Sequence, residues 1–372
     1  MSKRVLVTGG AGFIGSHLVD ALVEEGHSVR VLDNLDAQVH PTGRVPPWLN
    51  PEAEFIHGTI LDPETVERAL EGVQIVCHQA AAVGVGQSMY QIPYYVDTNV
   101  GGTSLLLDKI VNKRHSIEQV LVASSMSTYG EGQYECIRCG LVRPGLRGEA
   151  QLQAQDWEPL CPHCGGELTA VPTNEDAHQE STSVYAITKK TQEELVLTVC
   201  RAYGINGVAF RYFNAYGPRQ SQSNPYTGVL ALFLSRLRNG NRPTVYEDGL
   251  QTRDFIHVRD IARAYTVAIR DPGVSNGIYN LGTGKPHTIA WIALELAQAL
   301  GVEITPLITY SRRKGDIRHC YADITRARAK LGWEPHVPFG EGIDELIAWS
   351  QSSPAEDRFE QAEQELRQHG LV

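Results

Sequence analysis

Two stretches of this sequence carry residues that could move a proton. Tyr185 and Lys189 stand four apart in SVYAITK at 183–189, a helical pattern, so they share one face and the ammonium can lie near the phenol. Ser125 follows the β-branched run Val120 to Ala123, within SSMSTYG at 124–130. The C-terminal end of a strand is where a parallel sheet presents ligand-facing groups. Taken alone, the Tyr-x-x-x-Lys spacing describes many solvated helix faces, and Ser-Ser describes many loops. Together and in this order they make a general base and its hydroxyl partner. A cation beside the phenol would bring its pKa from about 10 towards working pH.

An insertion with its own chemistry separates them. Cys136-x-x-Cys139-Gly140 and Cys161-x-x-Cys164-Gly165 are two knuckles with 21 residues between them, slightly beyond the usual range for a paired-knuckle zinc site. The glycine after each second cysteine allows the turn that aims backbone N–H groups at thiolates. Four sulfurs with no open position imply a structural tetrahedral zinc. Reduced free thiols or a disulfide pair are the alternatives, and His163 could replace one cysteine. Zinc ribbons often bind nucleic acid, but residues 131–172 set Arg138, Arg143 and Arg147 against six carboxylates, an unsuitable surface for phosphates.

The elements that must position these groups begin with Thr8-Gly9-Gly10-Ala11-Gly12-Phe13-Ile14-Gly15, which follows a first strand, Val5 to Thr8. Its glycines let the backbone approach a pyrophosphate at a helix N-terminus, where free N–H groups favour anions. Asp33 ends a second strand, Val29 to Asp33, where a carboxylate can hold ribose hydroxyls and would repel a 2′-phosphate, so NAD is expected rather than NADP. Ile14, Leu18, Ala21 and Leu22 mark the intervening helix, with Gly26 as its C-cap. Glu54 to His57, Ile75 to His78 and Val208 to Arg211 read as further strands, and the alternation predicts a Rossmann-type doubly wound parallel sheet in an α/β fold. Beyond it, a helix over Val229 to Arg238, a strand near Asp254 to Val258 and a helix over Ile289 to Leu300 suggest a smaller C-terminal substrate-binding unit.

The implied organisation is an NAD-binding domain of residues 1–130 and 173–212 with a return segment near 250–275, and a zinc-ribbon-like insertion at 131–172. A substrate domain covers 213–249 and 276–350, and a charged helical tail at 351–372 carries no evident chemistry. A formal charge of −10 argues against general affinity for nucleic acid or anionic membranes. No apolar run approaches the roughly 20 residues that span a bilayer, and the chain enters a strand with no signal-peptide pattern, so a cytoplasmic protein is expected. Four of the seven cysteines sit in the paired motif while Cys77, Cys200 and Cys320 are isolated, which in a reducing compartment favours metal binding over a disulfide framework.

With TGGAGFIG at 8–15, DNL at 33–35, NVGGT at 99–103, SSMSTYG, SVYAITK, RYFNAYGPRQ at 211–220, QTRDFIHVRDIARA at 251–264 and RRKGDIRHCYAD at 312–323, the chain resembles the extended short-chain dehydrogenase/reductases of the NAD-dependent sugar-nucleotide epimerase/dehydratase family, over about residues 3 to 345. The resemblance implies that Phe13, Ile14, Asp33, Asn34, Ile60, Ala80, Ala81, Thr98, Tyr185, Lys189 and Phe213 line a tightly held NAD. It also implies that Asn214, Arg253, Arg313 and Asp316 hold the diphosphate and nucleoside of a sugar nucleotide. Thr59 departs from the Asp that many relatives place near the adenine. By the same analogy a homodimer forms through the helix bearing Tyr185 and the one after Asn99.

Relatives that dehydrate or decarboxylate carry an acid just after the catalytic hydroxyl; here those positions hold Met126 and Ser127. Neither shuttles a proton at neutral pH, so 4-epimerisation is expected. Tyr185 would take the C4 hydroxyl proton, aided by Ser125, while a hydride leaves for NAD and returns to the other face of the 4-keto sugar. The insertion, with stretches at 83–102 and 223–229, resembles sequences assigned as dTDP-L-rhamnose 4-epimerase, with UDP-glucose/UDP-galactose 4-epimerase the nearest competitor. A dehydratase, a decarboxylase or a non-catalytic NAD-sensing module are further alternatives.

Overall fold

The computed structural model describes residues 2–113, 115–271, 273–274, 276–352 and 356–372. Among the described residues the strands in chain order are β1 (Arg4–Thr8), β2 (Ser28–Asp33), β3 (Glu54–His57), β4 (Ile75–His78), β5 (Gln119–Ser125), β6 (Gln133–Cys136), β7 (Gly140–Val142), β8 (Thr169–Val171), β9 (Asn206–Tyr212), β10 (Asn214–Tyr216), β11 (Thr244–Val245), β12 (Thr252–His257), β13 (Gly277–Leu281), β14 (Pro286–Thr288), β15 (Leu307–Ile308) and β16 (His319–Cys320). Seven form one sheet in the order β13-β9-β5-β4-β1-β2-β3, and every pairing in it is parallel.

A parallel sheet covered on both faces needs strands that are apolar on both sides. β1 supplies this with Val5 and Val7 in one core and Leu6 in the other. Leu18 and Leu22 of helix Phe13–Glu24 and Ile261 and Tyr265 of helix Val258–Arg270 cover the first face. Val66, Leu106, Ile110 and Val196, from three further helices, cover the second. The order reverses between β1 and β4, and the crevice at such a switch point is where doubly wound sheets bind ligands.

Two features differ from the sequence reading. β13 joins the large sheet, although the sequence pattern assigns residues 276–350 to the smaller unit. Tyr279 and Leu281 pack into one face and Ile278 into the other, so the strand is stable only between two layers. Val258 starts a helix rather than ending a strand, because the His257 side chain caps it by accepting from Arg259 N.

A third core gathers Leu230, Phe233 and Leu234 with Ile292, Leu296 and Leu346 around helices Val229–Arg238, Ile289–Leu300 and Phe339–Gln351. The cysteine segment folds as a three-stranded antiparallel sheet, β7-β6-β8, with a small core of Tyr134, Cys136, Val142 and Cys161. In the tail a helix spans Phe359–Gln368; Ser353, where the charged stretch begins, lies outside the described residues. Among the described residues no helix is long and apolar enough to cross a membrane.

Candidate active site

A cleft of about 800 Å³ opens along the C-terminal ends of β1, β4 and β5 and continues under the smaller unit. Gly9, Gly12, Phe13, Ile14 and Gly15 line one end of it, with Asp33 and Asn34 beside them. The loop has no room for side chains where it turns: a Cβ on Gly15 would lie 2.1 Å from Gly9 O, and one on Gly9 would lie 2.8 Å from Ala80 N. Asp33 braces the turn, its carboxylate accepting from Ala11 N at 3.0 Å and Leu35 N at 2.9 Å. Ile60, Ala80, Ala81, Thr98 and Phe213 line the same cleft, as does Thr59.

Tyr185 sits in the first turn of helix Val184–Tyr203, started by Ser183 Oγ accepting from Ala186 N at 3.1 Å. Its backbone N–H donates to Ser88 Oγ at 3.0 Å, and its ring meets Tyr95 edge-on at 6.4 Å. Further along the helix, Glu193 ties it to the sheet. The Arg211 guanidinium of β9 grips that carboxylate at 2.6 and 3.0 Å, and Ser124 Oγ donates to it at 2.7 Å. This buried clamp fixes the helix against the strand end that carries Ser125.

Burial pushes the Tyr185 phenol up to about 12, against a smaller opposing pull from the Ser125 hydroxyl, which lines the same cleft. Lys189 does not do what its spacing suggests. Its ammonium donates to Gln192 Oε1 at 2.7 Å, and burial pulls its pKa down to about 7 against the opposing pull of Glu193. The expected lowering of Tyr185 by Lys189 is therefore corrected: desolvation dominates both groups. Gln192 in turn donates to Thr103 Oγ1 at 2.8 Å, which also contacts buried His78.

At the other end of the cleft lie Asn214, Arg253, Arg313 and Asp316. Asn214 Oδ1 is buried with no hydrogen-bond partner among the described residues, as is Gln251 Oε1. Arg253 already donates to the carbonyls of Thr252, Ile317 and Arg318, and Arg313 Nε pairs with Asp316 Oδ2 at 2.8 Å. Sequence reasoning did not anticipate that Phe359, Ala362, Glu363 and Leu366 of the tail helix also line the cleft. The i, i+3, i+7 spacing of the three apolar residues was the available signal.

Cys136, Cys139, Cys161 and Cys164 converge, all four sulfurs lying within 4.8 Å of one another and Cys136 Sγ 3.6 Å from Cys164 Sγ. Backbone N–H groups of Arg138 and Cys139 hold Cys136 down at about 7, while the neighbouring thiols, Cys164 foremost, raise Cys139 to about 12. His163 is exposed and outside the cluster. The lobe reaches the cleft through Arg147, whose guanidinium meets Glu247 Oε1 at 2.7 Å and Asp316 O at 3.1 Å.

Comparisons with known proteins place this geometry. Residues 5–139 and 163–282 match the family described as "NAD dependent epimerase/dehydratase family", the break falling inside the cysteine segment. The dTDP-L-rhamnose 4-epimerase of Burkholderia thailandensis is 34% identical over 350 residues, 93% of this chain and 94% of the relative. UDP-glucose 4-epimerase of Thermotoga maritima, solved with UDP-glucose, superposes with a TM-score of 0.77 at 30% identity, covering 94% of this chain and 99% of that one. The Thermus thermophilus UDP-glucose 4-epimerase, solved with NAD, gives 0.74 at 30% identity over 94% and 100%. With its parallel sheet, glycine turn and Ser125–Tyr185 pair, the chain is an enzyme that belongs to the NAD-dependent epimerase/dehydratase family.

Proposed function

We propose that the protein is an NAD-dependent nucleotide-sugar 4-epimerase, acting on dTDP-L-rhamnose and dTDP-6-deoxy-L-talose. The supporting observation is that Ser125, at the end of β5, and Tyr185 line the same cleft as the glycine turn, with no carboxylate at positions 126 and 127. The absence of a carboxylate there leaves nothing suited to pull a proton from C5 or to expel a C6 hydroxyl, which favours epimerisation over dehydration.

The glycine turn suits a dinucleotide, since it leaves bare backbone at the start of helix Phe13–Glu24 for the pyrophosphate. Gly9, Gly12, Phe13, Ile14 and Gly15 would hold it, Asp33 and Asn34 its ribose, and Ile60, Ala80, Ala81 and Thr98 its flanks. Phe213, Tyr185 and Lys189 would face the nicotinamide. When bound, NAD supplies a reversible hydride acceptor at sugar C4. Tyr185 takes the C4 hydroxyl proton and later returns it, and Ser125 holds that oxygen in register. Asn214, Arg253, Arg313 and Asp316 anchor the nucleoside diphosphate while the sugar turns.

The likeness to the Burkholderia dTDP-L-rhamnose 4-epimerase supports the thymidine sugar. The second reading, a UDP-glucose/UDP-galactose 4-epimerase, draws on the Thermotoga likeness. Incubation with dTDP-, UDP- and GDP-hexoses, with C4 configuration read by NMR, tests both. Inverted C4 in a dTDP-6-deoxyhexose is the expected product, and loss of water from any substrate overturns the epimerase reading.

We further propose that the four cysteines hold one structural zinc. Sulfurs around a tetrahedral zinc with Zn–S of about 2.3 Å stand about 3.8 Å apart, close to the 3.6 Å separation of Cys136 and Cys164. Arg147 makes the lobe a buttress of the substrate end. The homodimer of the family analogy gains support from Ile187, an exposed apolar residue on helix Val184–Tyr203. Sedimentation should report two chains, and one chain for Ile187→Glu.

A further inference from the structure

The C-terminal segment crosses the cleft and is held at both ends. At its start, Asn241 Nδ2 donates to Asp357 at 2.7 Å, Arg236 pairs with Glu360 at 2.8 Å, and the Arg236 guanidinium lies 4.5 Å from the centre of the Phe359 ring. At its far end Glu365 accepts from the hydroxyls of Tyr90 and Tyr226, which themselves meet at 2.6 Å. His369 stacks on Tyr90 with ring centres 4.4 Å apart, and Lys314 N donates to Leu371 O at 2.9 Å. Tyr90 belongs to the segment after β4, whereas Tyr226, Arg236, Asn241 and Lys314 belong to the smaller unit. The segment therefore straps the two sides of the cleft together.

Between these ties the helix turns Phe359, Ala362 and Leu366 inward, each less than a tenth exposed. Leu366 fits against Gly86 so closely that a Cβ there would lie 2.9 Å from Leu366 Cδ2. Glu363 lines the cleft, 3.4 Å from the Tyr246 hydroxyl, and the Tyr246 ring carries the Arg313 guanidinium 4.8 Å from its centre. Glu363, Tyr246, Arg313 and Asp316 thus surround one end of the cavity.

From this placement, and resting on the nucleotide-sugar reading above, we infer that residues 356–372 are part of the substrate site. The helix Phe359–Gln368 closes the nucleoside-diphosphate end, and Glu363 is the carboxylate that accepts from the donors of the nucleoside. Its apolar residues exclude water from the bound nucleoside, and its two anchorages require the strap to give way before a ligand leaves.

Titration calorimetry with UDP and dTDP tests this on the full chain, a chain ending at Ser352, Glu363→Ala and Leu366→Ala. Truncation should weaken the nucleoside diphosphates at least tenfold and raise KM for the nucleotide sugar by the same factor. Glu363→Ala should weaken them at least threefold, while kcat stays within threefold and the NAD content at purification is unchanged. Dissociation constants within twofold of the full chain in both point variants overturn the inference, whatever the truncated chain does. Weaker sugar-nucleotide binding with unaltered UDP and dTDP affinity also overturns it, because the helix would then act at the sugar end. Failure of the full chain to bind either nucleoside diphosphate overturns the nucleotide-sugar reading itself, and this inference with it.

Discussion

Ser127 Oγ donates to Ser125 Oγ at 2.9 Å, and Ser127 N donates to the same oxygen at 3.2 Å. A serine hydroxyl has one proton and two lone pairs. With both lone pairs engaged by residue 127, the single Ser125 proton is left to donate into the cleft that Tyr185 also lines. Ser127→Ala should lower kcat about tenfold, the rate equivalent of one hydrogen bond worth about 1.4 kcal/mol. An unchanged kcat would show that Ser125 needs no orienting partner.

Tyr185→Phe keeps the ring and its edge contact with Tyr95 but removes the proton acceptor. Turnover should fall by about 10²- to 10⁴-fold, the usual contribution of a positioned base. NAD content should be preserved. Near-normal epimerisation in this variant would refute the assignment of the base.

Lys189 gives a pH signature in stability. Burial lowers its folded-state value to about 7 from an ordinary 10.5. Between those pH values the unfolded chain holds a proton the folded chain has released, so this residue makes unfolding harder as pH rises through that window. The gain approaches about 1.4 kcal/mol per pH unit at its steepest. Urea denaturation of wild type and Lys189→Met at pH 7 and pH 9 should show the wild type gaining relative to the variant. Parallel behaviour of the two proteins would place the Lys189 titration elsewhere.

Gly15→Ala would drive a methyl group into Gly9 O, which lies 2.1 Å from the point where that methyl carbon would stand. The turn must open, and the backbone N–H groups aimed at a pyrophosphate move with it. NAD retained through purification should fall at least tenfold, by an order-of-magnitude argument from losing one or two such hydrogen bonds. Full NAD occupancy would mean that the cofactor does not rest on this turn.

Removal of the metal should act at a distance. Metal analysis should find one zinc per chain, and chelation should expose four additional titratable thiols. Since Arg147 joins the lobe to Glu247 and to the Asp316 carbonyl, KM for the nucleotide sugar should rise with little change in NAD content. Metal-free protein with full thiol reactivity from the start would leave the lobe held by its small core alone.

Much of this was legible because parallel strands write themselves as short apolar runs. β3 and β4 begin and end where the pattern places them, as do the helices Val229–Arg238 and Ile289–Leu300. β13 was not legible: GIYNL carries a glycine and an asparagine, and only burial between two layers makes it a strand. The direction of the Lys189 ammonium was equally hidden. Gln192 lies three residues on, a spacing available in the sequence, but desolvation decides between two partners and has no sequence signature. The tail helix reads as a charged surface element because its inward residues are few and its ties are made by charged groups to distant partners.

The lobe enters through β6 and leaves through β8, and these strands lie side by side with Gln133 opposite Val171. Its two ends are therefore about 5 Å apart, the spacing of paired strands, and a tight turn could join them. The cysteine segment thus has the geometry of a cassette: a chain with a tight turn in its place should keep the distance that separates the hydroxyl of one strand end from the phenol that works beside it.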